Sequence, residues 1–205
     1  MNKKTILAST FLSLMLVSSK VHAQATVHTV VPGDSMWKIA VKYEVGLSEI
    51  IAANPQISNA SVIYPGQKIN IPNVDAKTTE SKVMQLVNAE RARAGLQPLK
   101  ANWELSRVAR YKSQDMINKG YFSHTSPTYG SPFKMMESFG IRFSSAGENI
   151  AMGQRTPEEV MNSWMNSPGH RANILSPSYS QIGVGVAKDA QGRLYWTQMF
   201  IKPLY

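Results

Sequence analysis

IGVGVAKDAQGRLYWTQMF, residues 182–200, reads as two extended runs folded around a turn. Ile182 to Ala187 and Leu194 to Phe200 are rich in β-branched and aromatic side chains, and Asp189-Ala190-Gln191-Gly192 between them has turn chemistry. An antiparallel hairpin is therefore expected near the end of this 205-residue chain. Upstream the pattern is helical. Thr156-Pro157-Glu158-Glu159 supplies a capping residue, a first-turn proline and a Glu three positions on that can bond back. Val160, Ser163, Trp164 and Ser167 follow down one face until Pro168-Gly169, which reads as a stop and a sharp turn carrying His170. Further back, Ser131-Pro132 opens a short helix running to Gly140, and Asn102 caps one carrying Leu105, Val108, Ala109 and Met116. Val83, Leu86, Val87, Glu90 and Ala94 recur at helical spacing before Gly95. Helices combined with antiparallel strands predict an α+β fold, a layered sandwich over residues 81–205.

Residues 28–72 are organised differently, as strand, helix, helix, strand. His28 to Val31 is a short extended run ending at Pro32-Gly33, after which Asp34 or Ser35 can cap a helix. Met36, Ile39, Ala40 and Tyr43 form its apolar stripe, which Trp37 is expected to widen. Ser48 is the expected cap of a second helix ending at Asn54-Pro55. Tyr64-Pro65-Gly66-Gln67 is a turn, and Lys68 to Pro72 alternates like a strand. Residues 73–80, NVDAKTTE, are polar and without period, and read as a short linker.

The chain opens with Lys3 and Lys4, an apolar run from Ile6 to Val17, and the small residues of Val21-His22-Ala23. This predicts a secretory signal peptide over residues 1–23, too short to span a bilayer, which takes roughly 20 apolar residues. With no cysteine in the chain, neither a lipoprotein anchor nor a disulfide is available, which fits bacterial export better than an oxidising organelle. Loss of Lys3, Lys4 and Lys20 with the leader takes the formal charge from +9 to +6. The excess lies in the second unit. Such a surface attracts anionic wall polymers, and its scattered charges without aromatic interleaving argue against nucleic acid.

Chemistry concentrates on His124 in YFSHTSP, Glu148 in AGENIA and His170 in NSPGHRANIL, each expected near an element end. Imidazoles can bind metal or move protons near neutrality, and a carboxylate can orient them or activate water. The spacing matches no compact metal motif. The plainer alternative is that both histidines are hydrogen-bonded turn residues and Glu148 anchors a loop. Asn149 is expected to fix that loop, and Arg171 to serve a salt bridge or helix end rather than an anion.

HTVVPGDSMWKIA, AANPQI and VIYPGQKINIP together resemble a LysM domain across residues 28–72. The resemblance implies a small βααβ module that binds N-acetylglucosamine-containing glycan, peptidoglycan or chitin. The groove is then lined by Gly33, Asp34, Ser35 and Met36 on one side and by Val62, Ile63, Tyr64 and Pro65 on the other. For Tyr64 core and groove stand even, whereas the helical spacing of Met36 tilts it toward the core.

LVNAERARAGLQPL, YFSHTSP, AGENIA, WMNSPGHRANIL and IGVGVAKDAQGRLYWTQMF resemble a CAP domain in its bacterial form, over residues 81–205. This implies an α-β-α sandwich with a central cleft, in which eukaryotic members place two histidines and two glutamates and bind divalent metal. His124 matches the first histidine and Glu148 the glutamate of the GEN motif. Ser167 stands where the second glutamate falls, three residues after Trp164, and Ser178 where the second histidine falls. His170 belongs to the bacterial motif and fills the same cleft from another position. The implied site is then at most a triad, with His124 and His170 as ligands of a divalent metal such as zinc. Three functions follow: a secreted peptidoglycan-binding protein of the cell wall, a metal-dependent wall hydrolase in which Glu148 activates water, or a structural component of a spore envelope. No membrane segment is expected after leader removal, and protein partners stay open.

Overall fold

The computed structural model describes residues 26–72 and 74–204, so the expected signal peptide lies outside the described residues. The first unit runs β1 (Thr26–Thr29), α1 (Met36–Tyr43), α2 (Leu47–Ala52) and β2 (Lys68–Ile71), with β1 antiparallel to β2. Of the two candidate caps, Ser35 is used, its Oγ accepting from the Lys38 amide. Asp34 instead accepts from the Val31 amide at 2.9 Å and the His28 ring at 2.8 Å, pinning the β1–α1 loop. Met36, Ile39 and Ala40 pack with Val30, Val45, Ile50, Ile69 and Ile71 as the core.

Two expectations fail here. Trp37 is 62% exposed, because it lies about 100° around the helix from Met36 and the stripe already fills the core without it. The cap of α2 is Gly46 rather than Ser48, with the Glu49 carboxylate accepting the Gly46 amide at 2.9 Å. Buried Asn54 joins α2 to β2 by bonding the Ile50 carbonyl and both backbone groups of Asn70.

The second unit comprises α3 (Val74–Arg93), β3 (Lys100–Ala101), α4 (Trp103–Lys119), α5 (Pro132–Ser138), β4 (Phe143–Met152), α6 (Pro157–Met165), α7 (Pro168–Ile174), β5 (Gln181–Lys188) and β6 (Leu194–Pro203). The stretch expected as a linker is helical from Val74 onward, as the first turns of α3. Glu80 gives a physical reason: buried, it holds Arg110 of α4 through both oxygens at 2.8 and 3.0 Å. A polar run that looks solvated thus carries a packed ion pair.

The sheet order is β3-β5-β6-β4, and β5–β6 is the expected hairpin, closed by Asp189 accepting the Gln191 and Arg193 amides. Side chains alternate across its faces. Ile182, Val184, Trp196 and Phe200 pack with α3, α6 and α7, whereas Met199 and Ile201 pack with α4 and α5. This is the α-β-α sandwich. Gly183 and Gly185 face α4, where an added Cβ would lie 2.4 and 2.1 Å from its backbone. The helix therefore rests directly on β5. Arg91, fully buried, donates to the carbonyls of Gln97, Ile174 and Ser176 and so locks the end of α7 to α3.

Candidate functional site

Position of the first histidine is set from α4. Lys112 and Asp115 sit on the buried side of that helix, at helical spacing from Val108 and Met116. Lys112 is fully buried and donates from Nζ to the carbonyls of Ser123 (2.8 Å) and His124 (2.7 Å) and to the Tyr121 hydroxyl (3.2 Å). Burial holds its ammonium below the ordinary lysine value, with Glu148 and Asp115 pulling the other way. Asp115 accepts from the hydroxyls of Tyr121, Ser126 and Thr128, each at 2.7 Å. Burial raises this carboxyl, but those bonds outweigh it and keep it below the usual range. Two ions on one helix thus organise the loop after it.

Glu148 was expected near an element end; it lies in the middle of β4, a ten-residue strand. The strand is hard to read because residues 147–151 are buried consecutively and give no alternation. β4 lies at the sheet's edge, and like any strand it turns successive residues toward opposite layers. The Glu148 side chain is only 1% exposed, and its Oε1 lies 2.7 Å from His124 Nδ1. Its Oε2 is buried with no hydrogen-bond partner among the described residues.

Asn149 looks the other way and gives Nδ2–H to the His170 carbonyl at 3.1 Å and to Gln198 Oε1 at 3.1 Å. Asn173 donates to the Glu148 carbonyl and to Asn149 Oδ1, and Tyr179 gives its hydroxyl proton to the Ala146 carbonyl. These bonds dock α7 on β4. They make Asn149 a clamp between strand and helix, where a clamp on a loop was expected.

His170 is not on a turn. Pro168 opens α7 instead of closing α6, because proline lacks only an amide that a first turn does not use, and His170 falls in that first turn. The break comes earlier, at Asn166 and Ser167. Burial, and then the charge of His124, hold the His170 ring below its ordinary pKa. The two imidazoles are thus electrostatically coupled, although only His124 touches Glu148.

In the tautomer that donates Nδ1–H to Glu148, the His124 ring offers Nε2 as an acceptor on a half-exposed side chain. A carboxylate that fixes an imidazole tautomer is a general-base arrangement. The fit to a resident metal is poor. Glu148 commits one oxygen to His124, Ser167 and Ser178 add no carboxylate or imidazole, and no group of three or more His, Cys, Asp or Glu among the described residues is placed to hold an ion. Established catalytic zinc sites usually have three protein ligands.

In the first unit the residues expected around the groove divide. Met36 is 3% exposed and belongs to the core, so its side chain does not line a surface. Tyr64, at 67%, and Val62, at 46%, present apolar surface to solvent, with Ile63 half-buried and Pro65 exposed beside them. Gly33 is exposed with φ +89°, while Asp34 and Ser35 are held by internal bonds. Sequence reasoning passed over Lys112 and Asp115. The available signal was two charged residues at apolar-stripe positions of α4.

Fold and site together define the class. The CAP, cysteine-rich secretory protein family matches residues 84–200, more than half of the chain, and the LysM domain matches residues 28–72. The chain belongs to the CAP family and carries a LysM domain ahead of it. It is 59% identical over 122 residues to the uncharacterized protein YkwD of Bacillus subtilis, covering 60% of this chain and 46% of that one. A solved extracellular protein of Bacillus anthracis containing an SCP domain is 31% identical, with a TM-score of 0.60, covering 67% of this chain and 47% of that one. The probable autolysin SsaALP of Staphylococcus aureus is 41% identical over 68 residues, 33% of this chain and 25% of that one. The chain spans about half the length of the first two. Among the described residues no helix is long and apolar enough to cross a membrane.

Proposed function

We propose that this chain is an exported, wall-associated binding protein. Its LysM domain grips N-acetylglucosamine-containing glycan in the peptidoglycan of a wall or spore envelope. Its CAP domain presents the pair of His124, in the loop after α4, and Glu148 of β4, with His170 on the docked helix α7, to a second wall component. The observation that carries the reading is the LysM match over residues 28–72, with the rim of Val62 and Tyr64 turned to solvent. Apolar side chains of this kind cover sugar faces while loop backbone groups bond acetamido substituents. Similarity to a probable autolysin supports a wall setting. The test is sedimentation of the purified chain with peptidoglycan: wild type is expected to pellet, and Tyr64→Ala to remain largely in the supernatant. Equal pelleting of the two would remove the groove from the account.

The 2.7 Å contact between His124 and Glu148 favours one further reading, hydrolysis of a wall bond with His124 as base. Binding is preferred because the LysM match over residues 28–72 supports it directly. Release of soluble fragments from labelled peptidoglycan that disappears in both His124→Ala and Glu148→Gln would replace binding with catalysis.

A further inference from the structure

Lys38 stands in the first turn of α1 and is exposed, yet its ammonium is held in place. Nζ donates to the Gly33 carbonyl at 2.7 Å, which seats the charge on the β1–α1 loop, the first wall of the proposed groove. An ammonium has three N–H donors, and this bond uses one of them. Gly33 turns with φ +89°, and a Cβ built there would meet nothing within 4 Å, so the backbone beside the ammonium is open to a ligand. The second wall is tied to the first at its base. There the Gly66 amide donates to the Val30 carbonyl at 2.8 Å, and the Val30 amide donates to the Gln67 carbonyl at 2.9 Å.

Charge around the first wall is one-sided. Lys42 follows Lys38 by four residues, on the same helix face, and its charge bears on Asp34. Asp34 is the single acid of the two walls, and its Oδ2 is turned to the Val31 amide and the His28 ring. Glu44 caps the far end of α1, while Glu49 accepts the Gly46 amide and faces Arg110 at 3.8 Å. Among the described residues none of these three carboxylates forms an ion pair with Lys38. Val62 to Pro65 on the facing wall carry no charge. A positive rim thus stands opposite an apolar one.

We infer that Lys38 is a specificity-determining residue of the groove and selects a glycan strand that carries carboxylates over a neutral one. The inference rests on the glycan reading of the LysM domain and separates the two glycans that reading admits. Chitin bears no carboxylate. Peptidoglycan bears them either on the lactyl group of a bare muramic acid or on a stem peptide, which takes up that lactyl group as an amide. Val62 and Tyr64 cover the sugar face that both glycans share and cannot tell them apart. The ammonium can, by a charge-assisted hydrogen bond from a remaining N–H. At an exposed position such a pair is worth about two- to fivefold in affinity.

The experiment titrates the full chain calorimetrically with three strands of equal length: an N-acetylglucosamine oligomer, an alternating N-acetylglucosamine–N-acetylmuramic acid oligomer with free lactyl carboxylates, and the same oligomer carrying stem peptides. Wild type is expected to bind at least one acidic strand about two- to fivefold more tightly than the neutral one, by a margin that shrinks as salt rises from about 0.1 to 1 M. Lys38→Gln keeps a donor for the Gly33 carbonyl but no charge, and should erase the margin while leaving the neutral strand unchanged. Lys38→Arg should retain it. A margin confined to the free-lactyl strand assigns the contact to the sugar carboxylate, and one confined to the peptide-bearing strand assigns it to the peptide; both support the inference. Equal wild-type affinity for all three strands overturns it and leaves the groove standing. So does a Lys38→Gln protein that weakens all three alike, since Lys38 then only braces the loop. No binding of any strand by wild type removes the groove, and the selectivity with it.

Discussion

Replacing Gly185 by alanine would test how tightly α4, and with it the Lys112 and Asp115 anchors, is held on the sheet. The new Cβ would stand 2.1 Å from the Arg110 amide nitrogen and 2.2 Å from the Ala109 carbonyl carbon, where ordinary contact begins near 3.4 Å. Both obstacles are backbone, so no side chain can rotate away, and α4 must retreat by more than 1 Å. Overpacking of a tight core costs about 1–3 kcal/mol, and a helix-wide displacement belongs at the upper end. Alanine recovers about 0.4–1 kcal/mol from reduced freedom of the unfolded chain, leaving a net loss of about 2–2.6 kcal/mol. For a chain of this size that lowers Tm by about 4–10 °C. Gly169→Ala is the internal control: in the first turn of α7, with nothing within 4 Å of its Cβ, it should raise stability by a few tenths of a kcal/mol or more. Denaturant titration followed by circular dichroism reads both. A Gly185→Ala protein within about 0.5 kcal/mol of wild type would refute direct helix-on-strand contact.

Breaking the buried pair by Glu80→Ala leaves Arg110 charged and largely unpartnered, and should cost about 3–5 kcal/mol in the same denaturation assay. A loss under 1 kcal/mol would mean that α3 is not anchored there. Folding lowers the pKa of His170, so its neutral ring contributes stability that is fully present above about pH 6.5 and lost as pH falls through the folded value. Proton NMR titration should place His170 below the ordinary histidine value and move it upward in His124→Ala; no movement would contradict the coupling. Zinc titrated calorimetrically into the wild-type chain should give no heat above buffer. A stoichiometric heat lost in both His124→Ala and His170→Ala would establish the metal site that the donor set argues against.

Local chemistry made much of this molecule legible. Asn102, Ser131 and Thr156 cap their helices as their positions imply, because a cap acts on amides three residues away and needs no tertiary partner. The β5–β6 hairpin was readable from Asp189 and the runs around it for the same reason. Errors arose where distant residues decide. Glu80 is polar in sequence, yet it is helical and buried because Arg110 waits across the interface. β4 escaped notice since burial on both faces erases the alternation that marks a strand. His170 was placed on a turn because Pro-Gly can end a helix or begin one, and the docking bonds from Asn149 and Asn173 favour the beginning. The pairing of His124 with Glu148 spans 24 positions and has no local signature at all.

Consecutive residues of β4 serve opposite layers, and the pairing frame holding them runs unbroken from Ser145 opposite Lys202 to Met152 opposite Tyr195. A slip of one position would exchange their duties, offering an amide to His124 and a carboxylate to α7. The strand therefore encodes a count as well as a composition. Conservative replacements along it should be survivable, whereas adding or removing a single residue between Ser145 and Glu148 would separate Glu148 from His124 while leaving both residues in the chain.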